Sequence, residues 1–184
     1  MILPITIYGH PVLRKVAKDI DKDYPDLEKF MADMWQSMYF SDGVGLAAPQ
    51  VGRSIRMFVL DCSSFEEEEP ELKDFKKMFI NAHITDRNGE EWSMSEGCLS
   101  IPKLNEDVMR PETIRIEYYD ENWEFHDEEY SGFAARVIQH EYDHLEGILF
   151  TDHCSPLRKR LLKSKLTAIS KGKFDVKYRF TLAK

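Results

Sequence analysis

The chain has 184 residues, 42% of them hydrophobic, and a formal net charge of −8. That length supports one domain with a sizeable core, the apolar content argues against disorder, and the acidic balance argues against a general nucleic-acid binder. No apolar run approaches the roughly 20 residues of a membrane span. The opening MILPITIYGHPVLRKVAK has neither a secretory nor a transit-peptide pattern, and the three widely spaced cysteines (Cys62, Cys98 and Cys154) suit a reducing compartment, so a cytoplasmic protein is expected.

In chain order, Leu27, Phe30, Met31, Met34, Trp35 and Met38 recur at helical spacing within residues 24–40, with Pro25 suited to a first turn. This stripe reads as core. A glycine-rich stretch follows, Ser41-Asp42-Gly43-Val44-Gly45-Leu46-Ala47-Ala48-Pro49-Gln50-Val51-Gly52. Its glycines permit close approach by another chain, and without a Gly-Lys-Ser/Thr ending it is no phosphate loop. Residues 55–62 predict a buried strand, the acidic stretch 63–74 a surface loop, and residues 76–84 a partner strand. Residues 113–119 and 123–130 alternate around Asp120-Glu121-Asn122 and predict a hairpin. Residues 133–146 predict a helix ended by Gly147. Ser155-Pro156 opens a basic helix over about 156–170, carrying Arg158, Lys159, Arg160, Lys163 and Lys165. The tail alternates Phe174, Val176, Tyr178, Phe180 and Leu182, which predicts a strand over about 174–182. No repeat or linker divides the chain, so residues 1–184 are expected to form a single domain.

The chemistry concentrates in Gln139-His140-Glu141-Tyr142-Asp143-His144-Leu145-Glu146-Gly147. On a helix, His140 and His144 leave one face a turn apart and can share one metal ion. The Glu of an H-E-x-x-H motif acts as a base on water activated by such an ion, so the motif predicts hydrolysis. A catalytic site of this kind needs a third protein ligand. The extended protease pattern would put it at position 150, which is Phe150, and no Glu follows Glu146. Upstream, Cys98 in Glu96-Gly97-Cys98-Leu99-Ser100 offers a thiolate, a strong ligand for zinc or iron(II). His10, His83 and His126 lack partners at metal spacing and read as hydrogen-bonded or surface residues. Cys62 reads as packed, and Asp152-His153-Cys154 as a turn between helices. Gln139 and Asp143 flank the ligands, and Asp143 is expected to orient a histidine from behind.

Taken together, Gly43-Val44-Gly45-Leu46-Ala47-Ala48-Pro49-Gln50, Glu96-Gly97-Cys98-Leu99-Ser100 and Gln139-His140-Glu141-Tyr142-Asp143-His144-Leu145 resemble, in order and spacing, the three signature motifs of the peptide deformylase family. Gly9-His10-Pro11-Val12-Leu13-Arg14 is similar to the family's opening segment, and the resemblance covers about residues 4–155. It implies an α+β fold with antiparallel sheets around a central metal-binding helix. It further implies removal of the formyl group from the formyl-methionine of nascent polypeptides. Cys98, His140 and His144 would hold the metal, iron(II) by preference, with zinc, nickel or cobalt as substitutes. Glu141 would move the proton, and the Gln50 amide and Leu99 N–H would face the oxyanion. Gly43, Val44, Gly45, Glu96 and Gly97 would lie along the substrate, with Val44, Phe133 and Val137 walling a methionine pocket. Arg136 stands where the family often has an apolar residue. The basic helix after Ser155 resembles one that docks on the ribosome in some members.

Overall fold

The computed structural model describes residues 1–183. Chain order begins with a two-residue strand β1 (Ile5–Thr6), a 3-10 turn over Pro11–Arg14, and helix α1 (Leu27–Phe40). Helix α1 starts after Asp26, which sits in the left-handed region at φ 57°, so Pro25 lies outside the helix and not in its first turn. Leu27, Phe30, Met34 and Met38 form its buried face.

The main sheet has five strands in the order β2 (Gly45–Ala47), β3 (Met57–Asp61), β4 (Lys76–Cys98), β5 (Ile101–Tyr119) and β6 (Phe125–Ser131), every neighbouring pair antiparallel. Strand β3 shows how two cores form. Met57 and Val59 face one apolar cluster, shared with α1, while Phe58 and Leu60 face another. Alternation along a strand sends successive side chains to opposite faces. The second cluster receives helix α2 (Gly132–Leu145) through Ala134, Ala135, Ile138, Tyr142 and Leu145. The ring of Phe58 stacks on that of Phe79 at 4.6 Å between centroids.

Strand β4 runs far beyond the expected 76–84 and ends at Cys98. Its added part, residues 85–95, is exposed but for Trp92 and Met94, so no apolar alternation marks it. It is held instead by its ladder to β5. The hairpin between β5 and β6 falls at its expected place. The acidic stretch 63–74 is a surface segment with short 3-10 turns at Ser63–Phe65 and Pro70–Leu72. After α2, a 3-10 turn over Phe150–His153 leads to helix α3 (Pro156–Ser170), capped by the Ser155 hydroxyl accepting from the Arg158 amide. The expected strand over 174–182 shrinks to β7 (Phe180–Thr181), which pairs in parallel with β1. Strand β1 is only two residues long, so residues 174–179 keep their in-and-out alternation without a ladder. No helix among the described residues is long and apolar enough to cross a membrane.

Candidate metal centre and active-site cleft

Three elements meet at the site. Cys98 ends β4 where the β4–β5 ladder shifts register, and His140 and His144 project from one face of α2. The ligand atoms of Cys98, His140 and His144 all lie within 4.8 Å of one another. Cys98 Sγ is 3.4 Å from His144 Nε2, and the two imidazole centroids are 5.3 Å apart. His140 turns Nδ1 to Glu96 Oε2 at 2.9 Å, which leaves Nε2 for the site. Burial alone would raise the Cys98 thiol, but the His144 and His140 imidazoles outweigh it and hold it down at about 5. The thiolate is the ligating form. One thiolate and two imidazoles converging on a point fit a borderline-soft divalent ion such as zinc or iron(II).

Glu96 is the hub behind His140. Arg110 donates to both its oxygens, Nε to Oε1 at 2.7 Å and a second nitrogen to Oε2 at 3.0 Å, and Arg136 donates to Oε1 at 3.0 Å. Arg110 also donates to Asp143 at 2.8 Å. Two expectations change here. Glu96 was expected along the substrate, yet its side chain is buried and turned to His140. Asp143 was expected to orient a histidine ligand, yet its partners are Arg110 and His153. Gln139 is bonded to the Pro111 and Ala135 carbonyls, a packing role.

Glu141 is buried, and its Oε2 has no hydrogen-bond partner among the described residues. Burial pushes its carboxyl up to about 7, against the opposing pull of His140 and His144. A proton shuttle works best near the ambient pH. Gly45 leaves room for this carboxylate. A Cβ there would lie 2.7 Å from Glu141 Cδ, an overlap with the carboxylate itself. Gln50 is aimed by its own loop. Its Oε1 accepts from the Ala47 amide at 2.8 Å, which turns Nε2 toward Cys98 Sγ and Ser100 Oγ, both at 3.3 Å.

These groups floor a cleft of about 500 Å³, a size that suits a peptide end. Gly43, Val44 and Gly45 form one side, leading into the edge strand β2, whose outer edge has no strand partner. Phe133 and Val137 line one end, together with Phe65. The Phe65 and Phe133 rings meet at 4.5 Å, so the acidic segment supplies a wall that its charge pattern hid. The same segment supports α2, since Glu69 accepts from the Phe133 amide at 3.3 Å, a carboxylate at a helix N-terminus. Arg136 also reaches the cleft, but its guanidinium is buried against the Trp92 ring at 4.3 Å and donates to the Val108 and Trp92 carbonyls. Arg110 escaped the sequence reading altogether, and Tyr178 entered it only through the alternation of the tail. Each acts through a partner distant in sequence, and no motif marks it.

Elsewhere the histidines have local partners. His10 accepts from the Val12 amide, His83 meets Asp19 at 3.0 Å and His126 meets Asp120 at 2.9 Å. Cys62 is fully buried and its thiol is pushed up to about 12, first by burial.

The model of the polypeptide deformylase family matches residues 2–160. A peptide deformylase of Christiangramia forsetii is 61% identical, covering 97% of this chain and 95% of the relative. One from Flavobacterium psychrophilum is 55% identical over 99% of this chain and 97% of its own length. Among solved structures, the peptide deformylase of Thermotoga maritima superposes with a TM-score of 0.76 at 40% identity, covering 85% of this chain and 99% of that one. With a match across most of its length and relatives this similar, the chain belongs to the polypeptide deformylase family.

Proposed function

We infer that the chain is a metal-dependent amide hydrolase that removes the N-formyl group from the N-terminal formyl-methionine of newly made polypeptides and releases formate. The observation that carries the reading is the convergence of Cys98, His140 and His144 beside a buried Glu141 and an aimed Gln50 amide in one cleft. Cys98, His140 and His144 are the proposed ligands, and iron(II) the proposed ion in the cell, with zinc, nickel or cobalt able to replace it. When bound, the ion acidifies water and polarises the formyl oxygen.

The residues of the chain do the rest. Glu141 takes a proton from the attacking water and later hands it to the departing amine. Water oxygen bonds to the formyl carbon, the carbon–nitrogen bond breaks, and formate and a free methionine amine result. The Gln50 amide and the Leu99 N–H face the oxygen on which negative charge develops, where fixed donors in a closed site count most. The Gly43–Gly45 edge pairs with the substrate backbone as an added strand. Val44, Phe133 and Val137 enclose the methionine side chain, and Gly97 lines the cleft beside Cys98.

Replacing Glu141 with Ala tests the central role. With metal content retained, formate release from formyl-Met-Ala-Ser falls by roughly 10²–10⁴-fold, the usual worth of a positioned acid–base group. The acetylated peptide and an unblocked peptide serve as controls. Undiminished turnover in the mutant would refute the mechanism.

The basic face of helix α3 supports a contact with ribosomal RNA, at the site where formylated chains emerge, and with it action in the cytoplasm; residues 1–184 are proposed as one catalytic domain. Lys159, Arg160, Lys163 and Lys165 are exposed on α3, while Arg158 is paired with Glu106 at 2.6 Å. Phosphate contacts make binding steeply salt-dependent. Neutralising these five residues should abolish co-sedimentation with ribosomes at low salt, and binding that survives would sink the idea.

A further inference from the structure

We propose that the C-terminal tail, residues 174–182, forms the outer wall of the substrate cleft and binds the second and third residues of the formylated peptide. The proposal rests on the deformylase reading above. The tail lies beyond residue 160, where the family match ends. Phe174, Val176 and Tyr178 turn inward and are half-buried, while Asp175, Lys177 and Arg179 are exposed. Two sets of bonds hold the tail in place. The Tyr178 hydroxyl donates to the Leu99 carbonyl at 2.8 Å, and the Ile5 and Ile7 amides donate to the Arg179 and Thr181 carbonyls at 2.8 and 3.0 Å. Phe174, Tyr178 and Leu182 also pack on the core cluster beside α1. This segment is therefore docked on the body of the protein, directly behind a residue of the proposed oxyanion site.

Its inward side chains reach the cleft. Val176 and Tyr178 line the main cleft and also a groove that continues from it past Asp42 and Lys103. The direction of the substrate follows from the glycine edge. Gly45 abuts Glu141, which marks the reacting end, and a Cβ on Gly43 would lie 3.0 Å from Leu99 Cδ1, nearer the tail. Asp42, one residue further, belongs to the groove. The chain thus leads from the Glu141 carboxylate at Gly45, past Gly43, to the groove at Asp42. A peptide pairing with this edge, its formyl group at Glu141, brings its second and third residues between Asp42 and the Val176–Tyr178 wall.

The experiment compares formyl-Met with formyl-Met-Ala-Ser on the metal-loaded protein, on Val176→Asp, and on a chain ending at Lys173. The expected result is a fall of about fivefold or more in the kcat/KM ratio of tripeptide to formyl-Met, carried by the tripeptide KM. A purely structural tail would lower both substrates in proportion, through kcat, and leave the ratio where it was. Either that outcome or no change at all overturns the proposal. Val176→Asp changes one half-exposed side chain and so decides the matter if the shortened chain does not fold. Wild-type protein that releases formate from neither substrate would overturn the deformylase reading and this proposal with it. Release by wild type with an unmoved ratio overturns the proposal alone.

Discussion

Arg110 shows how much of the site depends on a residue that touches no ligand. Its guanidinium is almost fully buried and binds Glu96 through two nitrogens and Asp143 through a third. Burial disfavours this charge, but the two carboxylates outweigh it and raise the Arg110 pKa. Removing one partner of a buried ion cluster leaves uncompensated charge and costs about 3–5 kcal/mol. Arg110→Met should lose stability on that scale, read as a lower urea midpoint at an unchanged slope. It should also loosen the metal, because Glu96 orients His140 and such supports are worth about 10–100-fold in affinity. Arg110→Lys should rescue little, since an ammonium does not reproduce the two-pronged contact. A midpoint within error of wild type would show that the cluster is not the support its geometry describes.

Legibility differs between elements for physical reasons. Helix α2 was readable because its function and its packing impose the same 3.6-residue period, with His140 and His144 on one face and Ala135, Ile138 and Tyr142 on another. The outer half of β4 was not, because most of it is exposed and it is held by the ladder to β5 and by Arg136 at Trp92. The tail was half readable. The alternation of Phe174, Val176 and Tyr178 was visible, but the two-residue length of β1 allowed only β7 to pair. Asp143, beside the ligands in sequence, is the carboxylate that the sequence points to for orienting a histidine ligand, whereas the one that faces His140 is Glu96, 44 residues away along the chain. The end of α2 provides a test at this scale. Gly147 has φ +70°, and a Cβ there would lie 2.7 Å from the Arg14 carbonyl oxygen. Gly52 has φ +85°, but its nearest neighbour would be Thr6 Oγ1 at 3.9 Å. Ala at either position incurs the left-handed cost of about 1–2 kcal/mol. Only Gly147→Ala adds a backbone collision, so it should be clearly the more destabilising of the two in thermal melts. Equal losses would mean that the Arg14 segment moves aside freely.

Across the whole molecule, carboxylates tie distant segments together and set its response to acid. The N-terminal amine and Lys29 hold the Asp33 carboxyl below its ordinary value, and Arg158 does the same for Glu106, joining α3 to β5. For Asp61 and Asp120 burial works the other way. It is outweighed by bonds from Ser63 and Tyr39 to Asp61, and from His126 and the amides of Glu124 and Asn122 to Asp120. All four are lowered in the folded chain, so the unfolded chain takes up their protons first as pH falls. Their contribution is complete above the unfolded values of about 3.9 for Asp and 4.3 for Glu, and drains away as pH drops through the folded ones. With metal removed in every sample, urea midpoints should fall steadily from about pH 4.5 to 3. Glu106→Gln should flatten part of that fall, because one of the titrating ties is gone, and should lower the midpoint at about pH 5. A midpoint that holds constant down to pH 3 would mean that these pairs gain nothing on folding.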